Sequence, residues 1–306
     1  MYEIIMDPYS YPFWIIVIAI IAGTIAVISR PFSSYMKFVY PNAKFETIGN
    51  PFIKEKELNS IIEANNIEVF KEKLNSSKDY NIKGETTKEI QRSLDENFRE
   101  TIKMMKNDSS KKMNLFFDTY LEKNDFYLIK KELKNKIINK KINDEKIEKT
   151  IFKHNKKLLL DIKDKDIEEI PNLLLSYGFS DEIKKAITKE NIDFLEIDKI
   201  IDKYYIEKIK KVKVPYKCGK TKNRFIQIFV DLNNLKNVLR AKKMDYKKEE
   251  IMKLFLGEGL EIAKWKFEDI ADSDSVTQAI SSIEGTSYYE GLKNVIDTYN
   301  KEQSVQ

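Results

Sequence analysis

The chain has 306 residues, with 54 Lys and Arg set against 49 Asp and Glu, for a net charge of +5 at pH 7. Charged residues make up 34% of it, while glycine and proline number only 9 and 7. That balance favours helices over sheets and gives a mixed, solvated surface rather than the basic stripe of a nucleic-acid binder.

The first predicted element is apolar. No charged residue lies between Pro8 and Ser29, and about 20 such residues in a helix cover the roughly 30 Å of a bilayer core. Tyr9, Tyr11 and Trp14 stand where aromatic anchors meet a membrane interface. Glu3 and Asp7 precede the span, whereas Arg30 and Lys37 follow it. The positive-inside rule then places the body in the cytoplasm, as a single-pass membrane protein anchored through residues 8–29. The basic leader of a cleaved signal does not precede the apolar run, which reads as a signal anchor. The expected organisation is an anchor over 1–30, a connector over 31–53, a helical repeat over 54–150, a second over 151–247 and a partial third over 248–306.

Lys54–Leu74 reads as two short helices broken near Asn65 and Asn66. Thr86 and Glu89 form a capping-box pattern, opening a helix with an apolar stripe of Ile90, Leu94, Phe98, Ile102 and Met105. Met113, Phe116, Phe117, Tyr120 and Leu121 begin another, and Asp144 is placed to cap its successor. In the second repeat Pro171 opens a helix, Ser180 caps another, and 194–212 carries a strong apolar face. A loop over 214–220 leads to a helix starting at Thr221, with an expected core face of Phe225, Ile228, Phe229, Leu232, Leu235 and Leu239. Nothing alternates with period two for long enough to argue for a sheet.

The most informative stretch is Phe229–Lys242, FVDLNNLKNVLRAK, because a degenerate copy lies at Tyr120–Lys134, YLEKNDFYLIKKELK. Asp125 aligns with Asp231, Ile129 with Leu235 and Lys130 with Lys236. An echo at this distance indicates a duplicated helical unit. Asp231 and Asn234 share one helical face, where a carboxylate and an amide can bond a neighbouring helix or loop. Together with Asp125, Lys130, Lys236 and Arg240 they are the candidate structural or interface residues. Catalysis would want a second acid or a base converging on one pocket, and no catalytic, cofactor or metal residue is assigned. Cys218 is the only cysteine and His154 the only histidine, which rules out an internal disulfide and leaves a Cys/His metal site short of ligands. His154 sits in the lysine-rich FKHNKK and reads as an exposed surface residue without an orienting carboxylate.

At these residues the chain resembles the C subunit of the archaeal A-type ATP synthase, in the family that includes the d subunit of V-ATPase. Tyr40-Pro41-Asn42-Ala43-Lys44-Phe45 is similar to that family's opening segment. Asp231, Asn234, Leu235, Lys236, Leu239, Arg240 and Lys242 match its repeated helix position for position. The first copy departs from it, with Leu128 where an Asn belongs. Gly285-Thr286-Ser287-Tyr288 echoes a repeat start, and Leu74–Tyr80 does so loosely.

The resemblance implies an all-α fold of repeated helical subdomains forming a funnel-like socket, here preceded by one transmembrane helix. It also implies a non-catalytic rotor part that sits on the proteolipid ring, receives the D and F subunits of the central stalk, and needs no cofactor and no nucleic acid. Two departures stand out. The membrane span is not a general family feature, and the third repeat lacks a copy of the motif helix, being either reduced or cut short. The alternative reading is a membrane-tethered helical scaffold with another cytoplasmic partner. A membrane-anchored enzyme would need clustered carboxylates in a hidden cleft.

Overall fold

The computed structural model describes residues 7–49, 53, 55–77, 80–142, 144–293 and 296. Among the described residues every regular element is helical. The chain divides into two compact units, Met1–Phe117 and Asp118–Gln306, taken separately below.

In the first unit, helix α1 spans Tyr11–Gly49. Asp7 and Ser10 shape its entry: the Tyr9 amide donates to Asp7 Oδ1 at 2.9 Å, and the Ser10 hydroxyl donates to the Asp7 carbonyl at 2.8 Å. The apolar stretch meets the length and composition needed to cross a membrane, and its large side chains, such as Ile15 and Ile25, are exposed. Its hydroxyls are satisfied within the helix, Thr24 donating to the Ile20 carbonyl and Ser29 to that of Ala26. Such back-bonding satisfies these two hydroxyls within the helix itself. The helix does not break at Arg30-Pro31. It runs on through positions 31–49 past two prolines, each of which removes one backbone hydrogen bond.

Helices α2 (Glu55–Ile62) and α3 (Ile67–Asn75) are the two short elements expected, and Asn66 caps α3 by accepting from the Val69 amide at 2.9 Å. Helix α4 covers Thr87–Asp108 behind the anticipated capping box: Thr86 accepts from the Glu89 amide while Glu89 accepts from the Thr86 amide. Of its apolar stripe Ile90 and Ile102 are buried, whereas Phe98 remains exposed. Ile61, Leu74, Ile82 and Ile90 form the small core beneath these helices.

A 3-10 turn, Lys111–Met113, leads into α5 (Asn114–Ile137), most of which belongs to the second unit. Short helix α6 (Asp144–Glu148) follows, with Asp144 as its first residue rather than its cap. Then come α7 (Lys153–Asp164), α8 (Ile170–Ser176), α9 (Asp181–Ile187) and α10 (Phe194–Lys211). Ser180 precedes α9 without a side-chain capping bond, while Asp193 caps α10 through the Leu195 amide at 2.8 Å.

The loop from α10 to α11 turns through Tyr216 and Lys217, both left-handed at φ 56° and 60°. Helix α11 (Gly219–Lys243) therefore starts two residues before Thr221. It is followed by α12 (Lys248–Met252), α13 (Lys264–Asp272), α14 (Val276–Ser281) and α15 (Tyr289–Lys293). The last stretch of the expected third repeat, 294–295 and 297–306, lies outside the described residues.

The buried face of α11 is not the one the apolar pattern selects. Leu232 is 51% exposed, and Ile226, Val230 and Val238 fill the interior beside Leu235 and Leu239. Three asparagines, Asn233, Asn234 and Asn237, are buried among them, so polar residues displace the apolar period. The C-terminal half of α11 packs Leu235, Val238 and Leu239 against Ile251, Leu254, Ile262 and Phe267. Each such large side chain contributes about 1.5–3 kcal/mol of burial.

Candidate functional site

The two motif helices end alike. Helix α5 ends at a left-handed Asn139 (φ 54°), and α11 ends at a left-handed Asp245 (φ 56°). In the first, the Lys140 amide donates to the Asn135 carbonyl at 2.8 Å; in the second, the Tyr246 amide donates to the Ala241 carbonyl at 3.0 Å. Both are the six-to-one closure of a Schellman turn. A five-residue helix follows each, α6 or α12, and the chain then passes back under the motif helix before α7 or α13 begins.

The two aspartates grip that returning chain. Asp125, buried in α5, accepts from the Ile151 and Phe152 amides at 3.0 Å each and from the Asn155 side chain at 3.1 Å. These groups lie at the N-terminus of α7, where a carboxylate also meets the positive end of the helix dipole. Burial nevertheless pushes the Asp125 pKa up, against the lowering effect of those hydrogen bonds. Asp231, wholly buried in α11, accepts from the amides of Leu260, Glu261 and Ile262 at 2.8–2.9 Å, just ahead of α13. The Tyr288 hydroxyl adds a fourth bond at 2.9 Å. Asn234 extends the staple by accepting from the Leu256 amide at 2.9 Å and donating to the Gly257 carbonyl at 3.0 Å. Asn237 donates to the Leu254 carbonyl at 3.5 Å.

Lys130, Lys236 and Arg240 belong to a second arrangement. Helix α10 runs antiparallel to α5, so Lys130 meets Asp202 at 2.7 Å and Lys134 meets Asp198 at 2.8 Å. Helix α11 runs parallel to α5. Tyr120 packs on Phe225 with ring centroids 5.4 Å apart, and the Lys123 ammonium lies 5.0 Å over the Phe229 ring. This register brings Lys236 beside Lys130, with Arg240 one turn further along. Burial lowers the Lys236 pKa, and repulsion from Lys130 and Arg240 adds to the effect; Asp202 and Asp198 act the other way. Lys123 is lowered for the same first reason, burial, with Lys130 adding to the effect and Asp202 acting the other way.

The six sequence candidates thus divide into two groups. Asp125 and Asp231 with Asn234 hold backbone at two separate places, whereas Lys130, Lys236 and Arg240 come together. Sequence reasoning missed Asp198 and Asp202, which are legible only as an i, i+4 acidic pair on α10. It also missed Asn155, Asn237 and Tyr288, which complete the staples from a distance. His154 does have a carboxylate nearby, Glu122 at 3.5 Å, but Glu122 is also paired with Lys208, and His154 is 53% exposed at its side chain. Among the described residues no His, Cys, Asp and Glu group is arranged to hold a metal ion.

Two motif helices that end in the same turn and each bind the chain that follows them sit in an all-α protein. The chain belongs to the ATP synthase (C/AC39) subunit family, which matches residues 41–306. It is similar to the C subunit of the A-type ATP synthase of Methanobrevibacter smithii, with 26% identity over 301 residues, covering 95% of this chain and 77% of that protein. The corresponding C subunit of Methanosphaera stadtmanae is 25% identical over 303 residues, with the same coverage. That of Pyrococcus horikoshii is 26% identical over 269 residues, covering 85% of this chain and 71% of the relative.

Proposed function

We propose that this chain is the non-catalytic central-stalk rotor subunit of an A/V-type ATP synthase. It couples the stalk to the membrane proteolipid ring during ATP synthesis driven by protons or sodium ions. The family membership supports a place in that complex, and the use of the buried motif carboxylates supports the kind of role. Asp125 and Asp231 hold backbone instead of facing a cleft. Such a part works by shape: staples lock each returning segment to its motif helix, so load entering one wall is carried by packing rather than by loop bending.

In this reading the repeats over 54–150, 151–247 and 248–306 are walls of a socket. The socket sits on the proteolipid ring and receives the foot formed by the D and F stalk subunits. The apolar part of α1 contacts lipid through residues 8–29 and leaves the body on the cytoplasmic side, following the charge of its flanks.

The second reading is a membrane-tethered scaffold for another cytoplasmic partner: the family model matches only from residue 41, past the apolar stretch, although two relatives align over 95% of the chain and so into that stretch. Affinity purification from detergent-solubilised membranes separates the two. Recovery of the chain in fixed proportion with the catalytic subunits and the proteolipid supports the rotor role. Its recovery with a different partner, and an intact synthase without it, sinks that role.

A further inference from the structure

Helix α1 carries an exposed apolar stripe beyond the span of residues 8–29. Phe32, Tyr35, Met36, Val39 and Tyr40 recur at three- and four-residue spacing, which puts them on one face. All five are exposed, Phe32, Tyr35 and Tyr40 at 68%, 66% and 63%. Phe38, Pro41 and Phe45 lie on the opposite face, where Pro41 is buried and the two rings are half-buried. Beside that inner face, Lys44 reaches Asp108 at the end of α4. The body of the first unit therefore takes one side of α1 and leaves the aromatic side bare.

The bare stripe continues the apolar span without a break in the helix. From Trp14 to Tyr35 the helix rises about 32 Å, against roughly 30 Å for a bilayer core. From Tyr11 to Tyr40 it rises about 44 Å, against about 40–45 Å once the headgroup layers are included. Aromatic rings thus stand at both edges, as interfacial belts do. Arg30 and Lys37, seven residues apart, run along the other side of the helix, from which their long stems can carry the charges to the phosphates. Helices that pair within a membrane meet over small residues, whereas this stripe presents three aromatic rings.

We infer that the lipid-facing surface of α1 does not end at Ser29 but continues along this stripe to Tyr40, with the bilayer's inner interface as its occupant. Pro41, the next residue, is already buried in the first unit. No free linker then separates membrane and body: residues 31–49 are the continuing helix, and the first unit rides directly on the headgroups. The inference rests on the membrane span proposed above and extends it by three turns on one face.

The test places single nitroxide labels on the full chain in a Cys218→Ser background, which removes the native thiol. Met36→Cys and Val39→Cys probe the stripe, Ile20→Cys and Ile25→Cys the span, and Glu46→Cys the water beyond it, each checked for unchanged helical content. The labelled chains are reconstituted in phospholipid vesicles. Collision with oxygen, which concentrates in lipid, is compared with collision with a water-soluble nickel chelate. Labels at 36 and 39 are expected to show an oxygen-to-nickel ratio several-fold above that at 46. If 36 and 39 meet nickel as freely as 46 while 20 and 25 stay in lipid, the inference falls and the span stands. Labels at 36 and 39 shielded from both reagents would mean that protein covers the stripe, with the same consequence. If 20 and 25 also meet nickel freely, both fall.

Discussion

The carboxylate of Asp231 occupies the space that a side chain on Gly259 would need. A Cβ built on Gly259 would overlap Asp231 Oδ1, so the glycine is there to let the returning chain come within hydrogen-bonding reach of α11. The two residues act as one device, and each should fail without the other. Asp231→Ala strands the amides of Leu260, Glu261 and Ile262 and the Tyr288 hydroxyl. The expected loss is about 3–5 kcal/mol, as for breaking a buried charged network. Gly259→Ala should cost about 1–3 kcal/mol by overpacking. Urea unfolding of both single variants and of the double variant checks this, the double being less destabilised than the sum because the neighbours share one contact.

The first copy of the staple is lighter. Asp125 accepts two amides and one side-chain amide, and its pKa is pushed up by burial. Asp125→Ala is therefore expected to cost less than Asp231→Ala, about 2–3 kcal/mol. Hydrogen exchange should show the loss concentrated at residues 151–155 and not at 260–262.

The left-handed ends of α5 and α11 are occupied by Asn139 and Asp245. Glycine reaches this backbone region without a Cβ penalty. Asn139→Gly and Asp245→Gly should each raise stability by about 0.5–1 kcal/mol, read as a shift in urea midpoint at unchanged m-value.

Alkaline pH should loosen the second unit. Tyr246 donates to Asp193, and Tyr177 donates to Asp161. Burial and, next, the bond to the carboxylate push each phenol up to about 12. A folded pKa above the unfolded value of about 10 means that the stability is fully present below pH 10 and is lost as the pH rises through 12. Absorbance titration at 295 nm should show these two rings ionising late. Tyr246→Phe and Tyr177→Phe together should flatten the dependence of stability on pH between 10 and 12.

Much of this was readable in the residues, for physical reasons that can be named. The Thr86 and Glu89 capping box is local, depending on positions three apart, and it closes as the pattern requires. The apolar stretch of α1 is legible from composition alone. The pairing of Asp125 with Asp231 shows as a repeat because both copies keep the carboxylate. What the carboxylates hold did not show, because Ile151, Leu260 and their neighbours contribute backbone amides, which every residue has. The core face of α11 misled for a related reason. Periodicity assumes that polar residues face water, yet Asn233, Asn234 and Asn237 are buried because they bond carbonyls, and Leu232 is turned outward. The meeting of Lys130 with Lys236 and Arg240 needs the parallel register of α5 and α11, a tertiary fact that spacing within either helix does not contain.

The rotor role makes one demand that no structural part outside the coupling path would meet. Removing this chain should leave ATP hydrolysis by the catalytic head intact while abolishing ATP synthesis driven by an ion gradient. The direct measurement is gradient-driven ATP synthesis in membrane vesicles from cells lacking the chain, before and after the purified full-length protein is added back. Synthesis is expected to be lost in its absence and restored by its return, with hydrolysis by the released head unchanged. Undiminished synthesis in vesicles shown to contain none of the chain would contradict the rotor role.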